Sequence, residues 1–543
     1  MWMRFHTHFP VKDTLRLMPF VQDVLANGYL SPALNDWLAP HAGAHRITIT
    51  RLAMVIDHQY FGGQNHFMYA ITWLSILAIL LVFVTAFKRS YKSESVLLVF
   101  IVGISLIFLL SHTQAWNMIS AINSSWYLSL AASAISIFLI ASSPAPPSSP
   151  ILVMAYLSAV VAALCNFSGV FIWLLLPILI GIRSVRVGLL AAVITGLFLV
   201  LYMRGITAST IAVNFLEPST IEELKFVVTY QLMRGADIFS KACAYLGSPL
   251  SIDHRKLSTL LVVSSFMVVV AGWRELLKRR FRGQYLENAW FETVLAMATL
   301  SLAIAFVTQM GRGVIVVPTH ERYQTVVMIY WLCICGLIVF FGLEVKKAKS
   351  TWRFAATTLC LGIAALLLAN SPASISRVVK LVEAANRTST LGFLGVSDRL
   401  TQQGLTPNRT PNALTSLSLY FEKSRSGYWF NVIQQIDFEK SVECDDVDLS
   451  ILPSNWPGIS VATGHIKDHW SKWYRQIPVS TVQGKVIGFL TPVFSNKVTP
   501  KSLLSGDEQA WEGYFRSDDG SSGEVYLHYR SSLLSNHPCR IKI

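Results

Sequence analysis

Apolar runs close to the length needed to cross a bilayer recur along the first two thirds of this chain, and they remove most folds from consideration. They occupy residues 67–87, 95–110, 126–141, 151–164, 170–182, 187–203, 257–273, 293–307, 324–341 and 354–370. A helix of about 20 apolar residues covers the hydrocarbon core, and in lipid every backbone amide and carbonyl must find its partner within the segment or its neighbours. The runs therefore predict an all-α polytopic membrane domain of about ten spans over residues 67–370. Several runs are short, and Pro146 and Pro147 break the chain before 151–164. Only 14% of the 543 residues are charged. A soluble domain carries roughly a quarter, so a string of soluble domains is excluded.

The net charge of +14 does not point to nucleic acid, because of where it sits. Numbered from the first, the odd gaps between runs hold Lys88, Arg89 and Lys92, then none in 142–150, then Arg183 and Arg186, and then Arg274, Lys278, Arg279, Arg280 and Arg282. The long even gap 204–256 holds several but exceeds a simple loop. The last odd gap holds Lys346, Lys347, Lys349 and Arg353, whereas the even gaps 111–125 and 165–169 hold no Lys or Arg. Short cytoplasmic loops collect Lys and Arg. The odd gaps are thus expected inside, and residues 1–66, 204–256, 309–323 and everything after 370 outside. Residues 1–66 contain no span or signal-peptide core. Their translocation implies a further helix upstream, absent from this sequence.

After residue 370 the chain changes character. Residues 371–425 read as a mixed linker segment, and 426–543 as a β-sandwich-like domain outside the cytoplasm. Its strand-like runs lie at 458–461, 479–482, 485–490 and 524–529, with turn residues between them. Trp456, Trp470, Trp473 and Trp511 suit either a sugar-stacking platform or core positions. Five of the seven cysteines lie in or beside apolar runs and read as small buried hydrophobes. Cys444 and Cys539 stand apart in the polar region, where an oxidising compartment predicts a disulfide between them.

Two stretches outside the cytoplasm collect unusual polar residues. The first carries Asp13, Asp23, Asp36, His41, His45, Arg46, Arg51, Asp57 and the pair Gly62–Gly63. Residues 46–60, read as a helix, place Ile47, Leu52, Val55, Ile56 and Tyr60 largely on one side, as in a segment lying in the membrane interface. His41 and His45, four apart, suit a helical metal pair, or hydrogen bonding and lipid-phosphate contact; with no third ligand, a divalent metal is not indicated. The second stretch runs from Arg312 to His320, Glu321, Arg322 and Tyr323, directly before a span. Its arginines suit a phosphate, which their planar forks bind bidentately, or interfacial anchoring with Glu321 as partner. A third cluster, Gln114, Trp116, Asn117, Asn123 and Trp126, either lines a polar cavity or forms a wet loop among belt aromatics.

Residues 37–63, WLAPHAGAHRITITRLAMVIDHQYFGG, resemble the first-loop signature of bacterial multi-span proteins of the GT-C class, glycosyltransferases that use polyprenyl-phosphate sugars, or of their uncharacterised relatives. Residues 114–126 are similar to a Gln-x-x-Asn motif of that group. Residues 244–250 (AYLGSPL) and Gly311, Arg312, Glu321, Arg322 and Tyr323 match further landmarks in the same order, over most of residues 10–345. Ala44 stands where the group tends to have Glu, and Glu321 where it tends to have Ser.

The resemblance implies a membrane glycosyltransferase of the bacterial inner membrane and cell envelope. It implies a catalytic carboxylate in the first outer loop, by position Asp13, with Asp23 and Asp57 as further candidates. The paired carboxylate usual there is missing, since Thr14 follows Asp13. The donor would be a polyprenyl-phosphate-linked sugar with its phosphate on Arg322 and Arg312, and the acceptor a surface glycan or protein. His41, His45, Arg46, Arg51, Gln114, Asn117, His320, Glu321 and Tyr323 would complete the binding site, with no cofactor required. Rival readings are a lipid-linked glycan flippase or transporter, a glycan polymerase or ligase, and a scaffold for the C-terminal domain. The scarcity of ionisable residues within the runs argues against coupled transport.

Overall fold

The computed structural model describes residues 17–41, 45–61, 63, 65–114, 117–118, 120–204, 235–250, 255–282, 288–312, 323–344 and 350–369. In the C-terminal part it describes 442–443, 447–454, 458–466, 477–480, 486–492, 509–516, 524–527 and 539–542. All ten apolar runs are helices. They are α4 (His66–Ser90), α5 (Ser95–Leu109), α6 (Ser124–Ala141), α7 (Ser149–Cys165), α8 (Phe171–Arg183), α9 (Val185–Met203), α11 (Arg255–Phe281), α12 (Ala289–Arg312), α13 (Gln324–Glu344) and α14 (Ser350–Ala369). Seven, namely α4, α6, α9, α11, α12, α13 and α14, are long and apolar enough to cross a membrane; α5, α7 and α8 are shorter. The chain is accordingly a mostly helical, multi-pass membrane protein with a strand-rich C-terminal region.

Burial separates the helices into layers. In α13, α6 and α12, 83%, 78% and 72% of the apolar window is buried, against 22% in α9 and 28% in α11 and α14. The first three form the centre of the bundle, and the others present Leu and Val outward, where lipid is the natural solvent. Small residues set the closest contacts, because packing rather than water exclusion drives helix association in lipid. Ala155, Ala159, Ala162 and Ala163 make a fully buried face of α7 against α6. Ser129 and Ser136 of α6 donate to the carbonyls of Ala162 and Ala155 at 3.0 and 2.8 Å. Between α8 and α9, a Cβ on Gly188 would lie 2.4 Å from the Cα of Gly181, so only glycine fits that crossing.

One end of the bundle is tied by charges. Arg353 meets Glu94 at 3.3 Å, Arg279 meets Glu344 at 3.2 Å, and Arg183 meets Glu292 at 2.7 Å with both side chains almost fully buried. Asn288 donates to Tyr91, and the amide of Trp290 to Ser90, both at 3.0 Å. These contacts gather the α4–α5, α8–α9, α11–α12 and α13–α14 junctions, the Lys- and Arg-rich odd gaps of the sequence, at a single end.

At the opposite end lies the first loop. It comprises α1 (Met18–Asn27), α2 (Leu34–Leu38), a two-stranded hairpin of β1 (Pro40–His41) and β2 (His45–Arg46), and α3 (Thr48–Phe61). α3 does not present one apolar side as expected. Ile47 and Val55 are buried in the protein, Leu52 and Tyr60 are exposed, and the buried face also contains Arg51 and Asp57. The apolar partners of α3 are protein, namely Leu17, Met18, Val21 and Val24 of α1 and its start, with Met68 of α4 and Ala121.

The C-terminal strands are β3 (Val442–Glu443), β4 (Val447–Pro453), β5 (Ile459–Ile466), β6 (Ile477–Ser480), β7 (Val486–Pro492), β8 (Gln509–Arg516), β9 (Glu524–Leu527) and β10 (Cys539–Lys542). They form one continuous sheet in the order β3-β10-β9-β6-β7-β8-β5-β4, antiparallel except for β3 beside β10. The expected sandwich has no second sheet among the described residues. β4 alternates half-buried Val447, Leu449 and Ile451 with exposed Asp448, Ser450 and Leu452, the pattern of a one-faced edge strand. Trp511 is 1% exposed in the core of this sheet, so it is no part of a stacking platform. Trp456, Trp470 and Trp473 lie outside the described residues. Phe489 of β7 packs into the first-loop cluster and joins the sheet to the membrane domain. Cys539 opens β10, and its predicted disulfide partner Cys444 lies outside the described residues.

Candidate functional site

The polar residues singled out in the sequence gather at the first-loop end of the bundle. Arg46, on β2, donates from Nε to the carbonyl of Tyr202 at 2.8 Å, and from its two Nη atoms to the carbonyls of Leu38 and Arg204. Its guanidinium lies 5.5 Å from the centre of the Tyr202 ring. Arg51, one turn into α3, donates to the carbonyls of Trp37 and Ala39, both at 2.7 Å, and sits 5.5 Å from the Phe20 ring. Burial lowers its pKa. Both arginines are thus engaged with backbone carbonyls. They clamp the hairpin and the end of α9 to α3, a task that suits a planar fork with five donors.

His41 and His45 do not share a helix face. They stand directly opposite each other in the β1–β2 ladder, because Pro40 and Gly43 make this stretch a poor helix and a good hairpin. The His45 ring meets Phe167 edge-on at 6.4 Å. Among the described residues no group of three His, Cys, Asp or Glu is arranged to hold a metal ion.

Asp57 is 1% exposed and accepts from the amides of Asn65 and Phe67, both at 2.7 Å. A carboxylate there satisfies the orphan amides at the start of α4 and opposes the positive end of its dipole. Burial nevertheless outweighs those hydrogen bonds and raises its pKa to about 6. Next to it, burial lowers His58 to about 4. Gly63 of the Gly62–Gly63 landmark is explained by the same turn, and Gly62 lies outside the described residues. Gly63 adopts φ +72° and its amide donates to the Asp57 carbonyl; a Cβ there would lie 2.5 Å from Nδ1 of His58. Asp23, half-buried on α1, accepts from Asn27 at 2.7 Å and from Ser31 at 3.4 Å, bracing the α1–α2 turn. Asp36 accepts from the amide of Ala33 at 3.0 Å and caps α2.

Of the third cluster, Gln114, Asn117, Asn123 and Trp126 are described, and Trp116 lies outside the described residues. Gln114 donates to the carbonyls of Phe108 and Leu109 at 2.6 and 3.2 Å, closing the end of α5, and accepts from Tyr127 at 3.0 Å. Asn117 donates to Thr325 at 2.8 Å across 208 residues of sequence. Tyr323 is buried. Its carbonyl accepts from Tyr245 at 2.8 Å, and its ring meets Trp126 edge-on at 5.4 Å. Gln324 donates to Ser248 at 3.0 Å. The described residues of 114–127, with 245–250 and 323–325, thereby become one polar, aromatic layer. Ala121 joins that layer to the first loop by packing in its cluster. Tyr127, Gln309, Gln324 and Thr325 belong to this end but carried no motif. A search for amides within a turn of a predicted span end would have found the two glutamines.

Arg312 closes α12. Asp13, His320, Glu321 and Arg322 lie outside the described residues, so the geometry bears on the first loop and the amide layer but not on the carboxylate and arginines named first. Comparison with known proteins adds no relative: no family model, no curated protein and no solved structure matches the chain.

Proposed function

We propose that the chain is a bacterial inner-membrane glycosyltransferase that moves a sugar from a polyprenyl-phosphate carrier to an extracytoplasmic glycan or protein. The observation that carries this reading is the meeting, at one end of the bundle, of first-loop residues with those of 114–127, 244–250 and 323–325, the segments whose order resembles the GT-C class. That end is the one free of the Lys- and Arg-rich junctions, which agrees with an outward-facing site. The C-terminal sheet, joined to it through Phe489, would then lie outside as well. An apolar groove of about 340 Å³ between α7 and α9, lined by residues such as Leu152, Leu157 and Leu190, fits a lipid tail at bilayer depth.

Since Arg46, Arg51 and Asp57 are occupied structurally, the reading gives the chemistry to Asp13 as base and to Arg322 and Arg312 as phosphate ligands. Asp13 takes the proton of the acceptor hydroxyl, whose oxygen attacks the anomeric carbon. The bond to the carrier phosphate breaks, and polyprenyl phosphate leaves as the anion that the arginines hold. Profiling lipid-linked sugars in a strain lacking the protein tests the reading. Accumulation of one polyprenyl-phosphate sugar is expected; unchanged carriers would contradict it. One observation favours transport instead, the Arg183–Glu292 pair, which is almost fully buried although it lies at the end of the bundle. A transporter would leave the sugar on its carrier, so its loss would accumulate the loaded carrier on the cytoplasmic face, whereas loss of the transferase accumulates it on the outer face.

A further inference from the structure

Three amide side chains at the first-loop end are buried without full partners. Gln309, near the end of α12, is 0% exposed, and neither its Nε2 nor its Oε1 has a hydrogen-bond partner among the described residues. Gln324, the first residue of α13, is 5% exposed; its Nε2 reaches Ser248, but its Oε1 has none. Asn123, just before α6, is 7% exposed with Nδ2 unpaired. α12 and α13 are consecutive, so both glutamines flank the same connection. Asn123 stands one turn before Trp126, whose ring contacts Tyr323 beside Gln324. Desolvated amides without partners are costly, and a bundle in lipid has no packing reason to retain them over Leu or Met. Their donors and acceptors fit a ligand that offers both, and the electron-rich faces of aromatic rings beside amides suit the apolar C–H faces of a pyranose. The described side chains of this layer carry no charge, and the proposed function gives Arg312 and Arg322 to the carrier phosphate, so a second anion among these amides would have no counter-charge of its own, whereas hydroxyls exchange one neutral partner for another.

We infer that Gln309, Gln324 and Asn123, with Trp126 and Tyr323, form the recognition site for an uncharged sugar headgroup, a neutral hexose or N-acetylhexosamine and not a uronic acid. This rests on the proposed function for the identity of the carrier, though not for the existence of the site.

The test uses the full-length protein in lipid nanodiscs. The probes are polyprenyl phosphate, the same carrier bearing glucose or glucuronic acid, and the tail-matched pair octyl glucoside and octyl glucuronide. The neutral sugar should bind at least about tenfold more tightly than the acidic one in both series, a comparison that needs only the wild type. Gln309→Met and Gln324→Met should each erase that preference and leave binding of polyprenyl phosphate unchanged. Equal binding of neutral and acidic headgroups, or variants that keep the preference, would overturn the site and leave the amides as holders of water only. If no carrier binds but the glucoside preference and its loss in the variants are seen, the sugar site stands and the polyprenyl-phosphate reading falls.

Discussion

The two ends of the helical bundle are held by different chemistry. At one end, carboxylates meet arginines directly, as in Arg183–Glu292, Arg279–Glu344 and Arg353–Glu94. At the other, cations bind carbonyls, a carboxylate binds amides, and neutral amides and hydroxyls join the helices, as in Arg46–Tyr202, Asp57–Phe67 and Asn117–Thr325. Ion pairs fix helices by holding each charge to a partner within the protein. Amides and hydroxyls hold helices and still have lone pairs and protons to offer. The charged end is therefore the mechanical one, and the neutral end is where ligand chemistry fits.

The largest expected effect lies at the charged end. Arg183→Met leaves Glu292 buried and uncompensated, which costs about 3–5 kcal/mol. The double variant Arg183→Met with Glu292→Met should recover most of that loss in detergent-solubilised melting experiments. A single variant as stable as the wild type would mean that the pair does not hold α8 against α12.

Arg46→Ala comes next. Three carbonyls lose their donor, for an expected loss of about 2–3 kcal/mol. Proteolysis within residues 17–61 should accelerate while the helices stay protected. Arg46→Lys should recover only part, since a point charge cannot span three carbonyls in a plane. If Arg46 instead serves a ligand, the lysine variant will melt like the wild type and lose only carrier binding.

Asp57 and His58 sharpen the comparison through pH. Asp57 has its pKa raised to about 6, so its burial costs stability as pH climbs from about 4 to 6. His58 is lowered to about 4, so it costs stability as pH falls from about 6.5 to 4. The two slopes oppose each other in the wild type. Asp57→Asn should leave a protein that loses about 2 kcal/mol on acidification across that window, and His58→Gln one that loses a similar amount on alkalinisation. Both slopes can be followed by pH-resolved melting. Parallel slopes in the two variants would remove this account of the α3–α4 turn.

The smallest effect belongs to the exposed ion pair. Glu94→Gln breaks a contact to Arg353 whose side chains are 29% and 49% exposed, so melting should change by less than about 1 kcal/mol and less still in high salt. A loss comparable to that of Arg183→Met would mean that burial does not rank the charged contacts.

The helical part was legible because lipid demands it. Each apolar run became a helix, and the alternation of Lys and Arg foretold which junctions share an end. Boundaries moved where polar residues continue a helix, as Lys88, Arg89 and Ser90 do in α4. What stayed hidden depends on distant partners. Arg183 reads as a loop charge and Glu292 as a span flank, and nothing local says that they meet. Asp57 reads as a candidate base until the α4 amides are seen to point at it. The pair His41 and His45 has helical spacing, yet Pro40 and Gly43 favour a hairpin. In the C-terminal region β5, β6, β7 and β9 were anticipated by short apolar clusters. β3, β4, β8 and β10 were not: β3 and β10 are too short to show a pattern, β4 has only three alternating apolar residues among polar ones, and in β8 glutamate, glycine and aromatic residues interrupt the alternation.

The division of labour between the two ends requires that they face opposite sides of the membrane, and single-cysteine labelling in intact cells tests this most directly. In a background with the seven native cysteines replaced, Leu30→Cys, at a position 97% exposed on the first loop, should react with a membrane-impermeant maleimide. Arg280→Cys, in the basic segment that ends α11, should react only after the cells are permeabilised. Labelling of Arg280→Cys in intact cells, with Leu30→Cys protected, would put the neutral end in the cytoplasm and contradict an outward-facing transfer site.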